Sequence, residues 1–242
     1  MVIKVELLIL YNMLRKIIQR NIKTTEIIIS KIFPAGCGWQ YGSIVATHNY
    51  YIPSDISFML TCGIYQGMAV GVGHWLYMMT KKNTTDYIHH TIRPENPIDM
   101  TLETYKAIQF GTASVVTGTV WQPTVDLLRY DGFYTTAIGT GITCGAFFFT
   151  GLTLSKYICR PKTNQIINRG TIAKDALLSI SIGGANAMSV ATDPIIHGNI
   201  LTPIYGIGDM LAYNSIYIAG FSTASGFMVI QFIQNFKPNW ID

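Results

Sequence analysis

Long uncharged runs, separated by short charged segments, form the main hydrophobic pattern of this chain. Five such runs follow residue 55, and each has about the 20 residues that a helix needs to cross a bilayer. The pattern predicts an all-α protein, a multi-pass transmembrane helical bundle with five candidate spans: Ile56 to Met79, Ala107 to Val125, Gly132 to Ser155, Ala176 to Thr192 and Met210 to Phe236.

The N-terminal segment MVIKVELLILYNMLRKIIQR has a different pattern. Its leucines and isoleucines share one helical face and its basic residues lie elsewhere, which predicts an amphipathic helix on a membrane surface or a partner. We therefore divide the chain into an amphipathic arm (1–55), an extra transmembrane helix with its loop (56–103) and a four-helix, glycine-rich membrane core (104–242). The short connector Asp126 to Asp131 predicts that the second and third spans form an antiparallel hairpin.

Small residues recur at four-residue spacing in every predicted span. Residues four apart lie on one helix face, and in lipid small residues allow the close backbone approach on which helix association depends. The glycines of TTAIGTGITCGAFFFTG do not fit a phosphate-binding loop, because they lie in the middle of an uncharged run. The spacing predicts helix-packing faces at Gly63, Gly67, Gly71, Ser114, Gly118, Ala137, Gly141, Gly145, Ser179, Gly183, Gly220 and Ala224.

Composition favours a membrane protein over a soluble domain. Charged residues make up 12% of the chain, about half the roughly 25% that is typical of soluble domains. Apolar residues reach 49%, and there are 22 glycines. The net charge is +4, and no block of lysines and arginines points to nucleic acid. The expected partners are membrane lipid and other subunits of a large membrane complex.

The sequence shows no pattern of catalytic or metal-binding residues. The histidines and cysteines lack metal-ligand spacing, and there is no G-x-S-x-G, P-loop lysine or metalloprotease pair. We expect no catalytic residues, no enzyme activity, no cofactor, no metal and no small-molecule substrate. Three acids are candidates for an ionisable group inside the membrane, but they lie at span ends, where we expect them to be solvated or to cap helices: Asp126, Asp193 and Asp209. One histidine lies inside a span, His74, and His89-His90 falls in the loop Thr80 to Lys106.

The second half of the chain contains a series of segments that resembles a known family. The segments are QFGTASVVTGTVWQ, then YTTAIGTGITCGAFFFTGLTLSKYICR with Cys159 and Arg160 at its end, Lys174-Asp175, SIGGANA from Ser181 to Ala187, and a stretch that ends near Gly226. Together they resemble the mitochondrial inner-membrane protein-translocase family, which includes an accessory subunit of respiratory complex I. The resemblance implies four short glycine-rich membrane helices in the mitochondrial inner membrane.

Three functions follow as hypotheses. The resemblance implies a non-catalytic structural accessory subunit of a respiratory assembly, with complex I (NADH:ubiquinone oxidoreductase) as the first candidate and another respiratory complex or ATP synthase behind it. The alternative is a protein-translocase channel component, which requires polar residues along a water-filled groove. A solute transporter would need a charged mid-membrane site, and only the prolines near two span ends, Pro123 and Pro194, favour it. Candidate groove residues are Thr112, Thr117, Thr119, Gln122, Thr140 and Thr143.

Orientation is the point on which two arguments conflict. Five spans place the N- and C-termini on opposite sides of the membrane. The positive-inside rule assigns the basic loops to the matrix, whereas the resemblance implies the reverse. Because the membrane potential favours entry of a basic arm into the matrix, we expect the N-terminus in the matrix and the C-terminus in the intermembrane space.

Overall fold

The described part of the chain folds into helices. The computed structural model describes residues 21–52, 55–89, 98–159, 169–195 and 209–235. These residues contain six α-helices and no strand, which confirms the all-α class for this part of the chain. The helices are α1 (Phe33–His48), α2 (Ile56–His89), α3 (Met100–Leu128), α4 (Phe133–Ile158), α5 (Arg169–Ile195) and α6 (Asp209–Asn235). The predicted amphipathic helix at residues 1–20 lies outside the described residues.

Local signals in the sequence explain several helix boundaries. The Asp99 side chain caps α3 by accepting hydrogen bonds from the backbone N–H groups of Thr101 and Leu102. A π-helical turn, Ile28–Ile32, leads into α1, and a 3-10 turn, Arg129–Asp131, follows α3. Gly132 then starts α4 with a φ of 101°, a conformation that side-chain-bearing residues rarely adopt. Pro123 lies inside α3, which continues to Leu128.

The six helices form a closed ring in chain order, because α6 packs back against α1. Neighbouring helices are antiparallel, as the residue pairs between them show. Across α2 and α3, Gly63 lies at Thr119 and Gly71 lies at Ala107. An even number of helices makes the closing contact antiparallel too, with Gly36 of α1 at Ala219 of α6.

A glycine lies at each of the six contacts of the ring. In every case a Cβ atom built on the glycine would come within 3.1 Å of a backbone atom of the neighbouring helix, so even alanine would not fit without movement. Around the ring from α1/α2, the glycines and their neighbours are Gly42 at Cys62, Gly67 at Gly111, Gly151 at Ala113, Gly141 at Gly183, Gly226 at Ala185 and, between α6 and α1, Gly36 at Ala219.

The predicted packing residues lie at several of these contacts. Gly63, Gly67, Gly71 and Gly118 lie between α2 and α3, and Gly141, Gly145, Ser179 and Gly183 lie between α4 and α5. Gly220 of α6 contacts Cys37 and Phe33 of the α1 segment. Three further members of the predicted set are buried: Ser114, Ala137 and Ala224.

Within the described part of the chain, two helices taken singly, rather than the predicted five, are long and apolar enough to cross a membrane. They are Ile56–Thr84 in α2 and Phe133–Ile158 in α4, and α6 contains a shorter apolar segment, Ile216–Gln231. Helices α3 and α5 differ because glycine, alanine, serine, threonine and glutamine occupy many of their positions. These residues contribute little hydropathy even where no charge is present.

The helix α1 belongs to the ring, although the division by sequence assigns residues 1–55 to an arm. Gly36, Gly38 and Gly42 bring α1 against α6 and α2. This helix was not predicted as a span, although residues 32–54 form an uncharged run. With six helices in the ring, the ends of the described chain near residues 21 and 235 lie at the same end of the bundle. The expectation of opposite ends followed from counting five helices.

Replacement of Gly141 and Gly145 by leucine tests the glycine contacts. The new side chains would meet the carbonyl oxygens of Gly183 and Ser179 at 2.8 and 3.0 Å from their first carbon, so we expect a loss of at least about 2 kcal/mol of stability. Ala146→Leu, on the exposed face of the same helix, is the control and should change stability by less than about 0.5 kcal/mol. Thermal unfolding in detergent measures both, and equal melting temperatures would contradict the packing model.

Candidate functional site

A buried ion cluster joins α2 and α3. The Nε2 atom of His74 lies 2.9 Å from one carboxylate oxygen of Glu103, and the Nζ atom of Lys106 donates to the other oxygen at 2.6 Å. His74 is 4% exposed and Glu103 is 7% exposed, so water reaches this pair little. The geometry follows from the α2/α3 glycine contact, because Gly71 at Ala107 brings the two backbones together one turn away.

The electrostatics of the cluster favour an ionised Glu103. Its carboxylate oxygens lie within hydrogen-bonding distance of His74 and Lys106, and hydrogen bonds to the charged form favour ionisation. An ionised carboxylate only accepts hydrogen bonds, so Nε2 of His74 carries a proton. The other ring nitrogen, Nδ1, is buried and has no hydrogen-bond partner among the described residues.

Lys31 lies beside this cluster, on the π-helical turn before α1. Its Nζ atom lies 4.6 Å from the centre of the Phe110 ring, and the same ring contacts His74 edge to face at 5.7 Å. Its nearest polar side chain is Ser30, at 3.3 Å. Burial lowers the pKa of Lys31 to about 8, although Glu26 and Glu103 act in the opposite direction. Within the described part of the chain, no carboxylate forms an ion pair with Lys31.

A cavity of about 360 Å³ occupies the centre of the ring, and all six helices contribute to its wall. Lys31 and Ser43, which are twelve residues apart along the chain, both line it. Because twelve helical residues rise about 18 Å, the cavity extends along the bundle axis. Trp39 and Trp121 stack edge to face at 4.6 Å in its wall. The polar residues of the wall are Lys31, Gln40, Ser43, Gln66, Ser114, Gln122, Asn186, Ser189, Ser222 and Thr223.

Of the residues predicted to line a translocase groove, all but one lie away from the central cavity. Gln122 lines the central cavity. Thr112, Thr117 and Thr119 instead donate to backbone carbonyl groups of their own helix. Thr140 is fully buried, and its hydroxyl has no partner among the described residues. Thr143 is half-buried in α4 and does not line the cavity.

Of the three acids at the predicted span ends, the structure describes the side chain of one, Asp126. Asp126 accepts a hydrogen bond from Gln122 and lies 3.5 Å from Arg129, so it belongs to a local, half-exposed network. The side chains of Asp193, Asp209, His89 and His90 lie outside the described residues. Among the residues that the structure does describe, no group of three or more His, Cys, Asp or Glu side chains is arranged to hold a metal ion.

The sequence interpretation missed Glu103 and Lys31. Glu103 fell in the loop Thr80 to Lys106, because an apolar run begins only at Ala107, whereas α3 starts at Met100. Lys31 fell in the arm. The one available signal was His74, an isolated histidine within an apolar span, since such a residue usually has a polar partner on another element.

The chain matches no protein-family model, no curated protein and no solved structure.

Removal of the Glu103 carboxylate tests whether the cluster holds α2 and α3 together. Glu103→Ala leaves the buried His74 ring and the half-exposed Lys106 without their acceptor, and loss of hydrogen bonds to a charged group costs about 2 kcal/mol. Glu26→Ala breaks the exposed pair between Glu26 and Lys81 and should cost about 0.5 kcal/mol. Unfolding in detergent compares the two variants, and equal losses of stability would contradict a special role for the buried cluster.

Proposed function

We propose that this chain is a multi-pass membrane protein that serves as a non-catalytic structural accessory subunit of a mitochondrial inner-membrane respiratory assembly, with complex I as the first candidate. The observation that carries the membrane part is the distribution of side chains in the ring. Large apolar residues lie on the outside, and small or polar residues lie on the inside.

Helix α2 shows this distribution most clearly. Its outer face consists of Ile64, Met68, Val72 and Leu76, which are between 46% and 57% exposed. Its inner faces hold the three glycines Gly63, Gly67 and Gly71 together with Cys62, Gln66, Val70 and His74. In water, an exposed aliphatic stripe of this length is unfavourable. Against lipid tails it is favourable, and close packing of small residues then holds the helices together.

Helices α4 and α6 follow the same rule. Ile138, Ile142 and Leu154 of α4 are more than half exposed, as are Tyr217 and Phe221 of α6. In the most apolar stretch of α2 only 33% of the residues are buried, and in that of α4 only 39%. The core helix of a soluble protein is, by contrast, mostly buried. These exposures support a lipid-facing surface around the bundle.

The proposal includes the less apolar helices as spans. Helices α1, α3 and α5 turn many of their polar residues towards the cavity or towards neighbouring helices, so their composition does not have to meet the hydropathy of a helix surrounded by lipid. The charges support the same picture. Among the described lysines and arginines, Arg129 alone lies at the end of the bundle where α1 finishes. The others lie at the opposite end: Lys23, Lys31, Lys81, Lys82, Lys106, Lys156, Arg169 and Lys174.

The structural role is supported by how the polar groups are used. Three polar contacts connect neighbouring helices: Lys156 with Asp175 at 2.6 Å between α4 and α5, Gln109 with the Cys159 carbonyl group at 3.0 Å between α3 and α4, and Gln231 with Ser181 at 2.8 Å between α6 and α5. The choice of a respiratory assembly, and of complex I first, rests on the family resemblance of residues 104–227. Another respiratory complex or ATP synthase remains the second host.

The alternative is a translocase channel component, and the polar cavity favours it. A channel for an unfolded polypeptide requires a groove that admits a chain from the side or along the axis. The ring closes on itself through the α1/α6 contact, and the cavity is narrow, at about 360 Å³. These two features favour the structural role.

Co-migration tests the host assembly. We expect the tagged chain to migrate with complex I on native gels of mitochondrial membranes solubilised in mild detergent, and depletion of the chain to reduce assembled complex I. Complex IV and ATP synthase are the controls within the same gel. Co-migration with a protein-translocase complex, or a normal amount of complex I after depletion, would contradict the proposal.

The closed ring also makes a topological prediction. Because six antiparallel helices bring residues 21 and 235 to the same end, tags at the two termini should show the same protease sensitivity. Protease added to mitochondria with a ruptured outer membrane should remove both tags or neither, and detergent should expose both. One cut tag and one protected tag would mean that an odd number of helices crosses the membrane.

A further inference from the structure

We propose that the central cavity is a binding site for a small organic monocarboxylate, whose carboxylate pairs with the ammonium group of Lys31 and whose apolar body lies against Phe110 and Phe148. This inference goes beyond the structural role and does not depend on it. It rests on the size of the cavity, on one cation that has no carboxylate partner among the described residues, and on the apolar wall around that cation.

The size fits a small molecule. Binding sites for small organic ligands have volumes of roughly 300–1,000 Å³ and are lined mainly by apolar and aromatic side chains with a few polar groups. The central cavity, at about 360 Å³, lies near the lower limit of this range. Two tryptophans and several amide and hydroxyl side chains contribute to its wall, so it offers both aromatic surface and hydrogen-bonding groups.

The charge balance around Lys31 indicates an anion. The two carboxylates near it already have partners: Glu26 pairs with Lys81 at 3.0 Å, and Glu103 is held by His74 and Lys106. Lys31 itself has the Ser30 hydroxyl and the face of the Phe110 ring. A cation–π contact compensates a partly buried ammonium only in part, and a carboxylate from a ligand would complete the compensation.

The surroundings of Lys31 limit the type of anion. Phe110 packs against the apolar cluster of Ala113, Phe148 and Leu152, together with Leu178 and Ile182. One unpaired cation in such a wall matches one negative charge on a largely apolar molecule. A phosphate or a dicarboxylate would bring a second charge, which this wall does not compensate.

The test uses the detergent-purified full chain and 4-fluorobenzoate as the probe, observed through the line width of its fluorine NMR signal. We expect saturable broadening with a dissociation constant at or below about 1 mM, and at least tenfold weaker binding of the neutral isostere 4-fluorobenzamide. Benzoate and octanoate as competitors separate two sources of the carboxylate: stronger displacement by octanoate indicates a fatty acid, and stronger displacement by benzoate indicates a compact aromatic acid. No saturable broadening, or equal binding of acid and amide, would overturn the proposal.

Variants assign the binding to Lys31. Lys31→Met should weaken binding of 4-fluorobenzoate at least tenfold, whereas Lys31→Arg keeps the charge and should bind within about threefold of the wild type. Lys23→Met, which removes an exposed lysine on the same helical segment, is the matched control and should bind as the wild type does. Unchanged binding in Lys31→Met would show that the anion is held elsewhere.

The wild type supplies an independent measurement if Lys31→Met does not fold. With a pKa of about 8 in the empty cavity, Lys31 loses its charge as the pH rises, so binding should weaken about thirtyfold between pH 7 and pH 9.5. The charged groups that face Lys31 are Glu26 on its own helix, Lys81 and His74 on α2, and Glu103 and Lys106 on α3. Lys31→Arg should abolish the pH dependence, and an identical profile in this variant would contradict the assignment.

Discussion

Close approach of helix backbones is the constraint on which the rest of this structure depends. At each of the six contacts of the ring, a glycine lies where a single additional carbon would collide with the backbone of the neighbouring helix. These contacts set the distances between helices and allow α6 to return to α1. They thereby determine both the closed ring and the volume that remains at its centre.

The polar interior is a consequence of the same packing. Where Gly71 allows α2 to approach α3, His74 and Glu103 come within hydrogen-bonding distance and exclude water. A buried ion pair contributes little net stability compared with an apolar pair, but the loss of one partner is costly. We therefore expect the cluster to act mainly on specificity, because a sliding movement of α3 along α2 would separate the Glu103 carboxylate from His74. The axial cavity begins beside this cluster, at Lys31.

Several features could be predicted from the sequence because they depend on neighbours along the chain. The four-residue spacing of Gly63, Gly67 and Gly71 indicates a helix face for close packing whatever its partner. The all-α class follows from apolar runs of helical length. The helix α1 was not predicted as a span, although residues 32–54 form an uncharged run like those of the five predicted spans, because the chain up to residue 55 was assigned to an amphipathic arm. Glu103 and Lys31 were missed because the contacts that place them in the bundle, Glu103 with His74 and Lys31 with Phe110, join residues 29 or more positions apart.

The sequence by itself determined that the chain forms helices and that small residues repeat along one face of each. It also determined that charges are confined to the segments between apolar runs. These properties depend on local periodicity and composition, which any part of the chain expresses alone. Only the tertiary structure decided which face meets which, that six helices close into a ring, and that Lys31 faces a cavity beside the His74–Glu103 pair. Closure requires all six contacts at once, and no single segment contains that information.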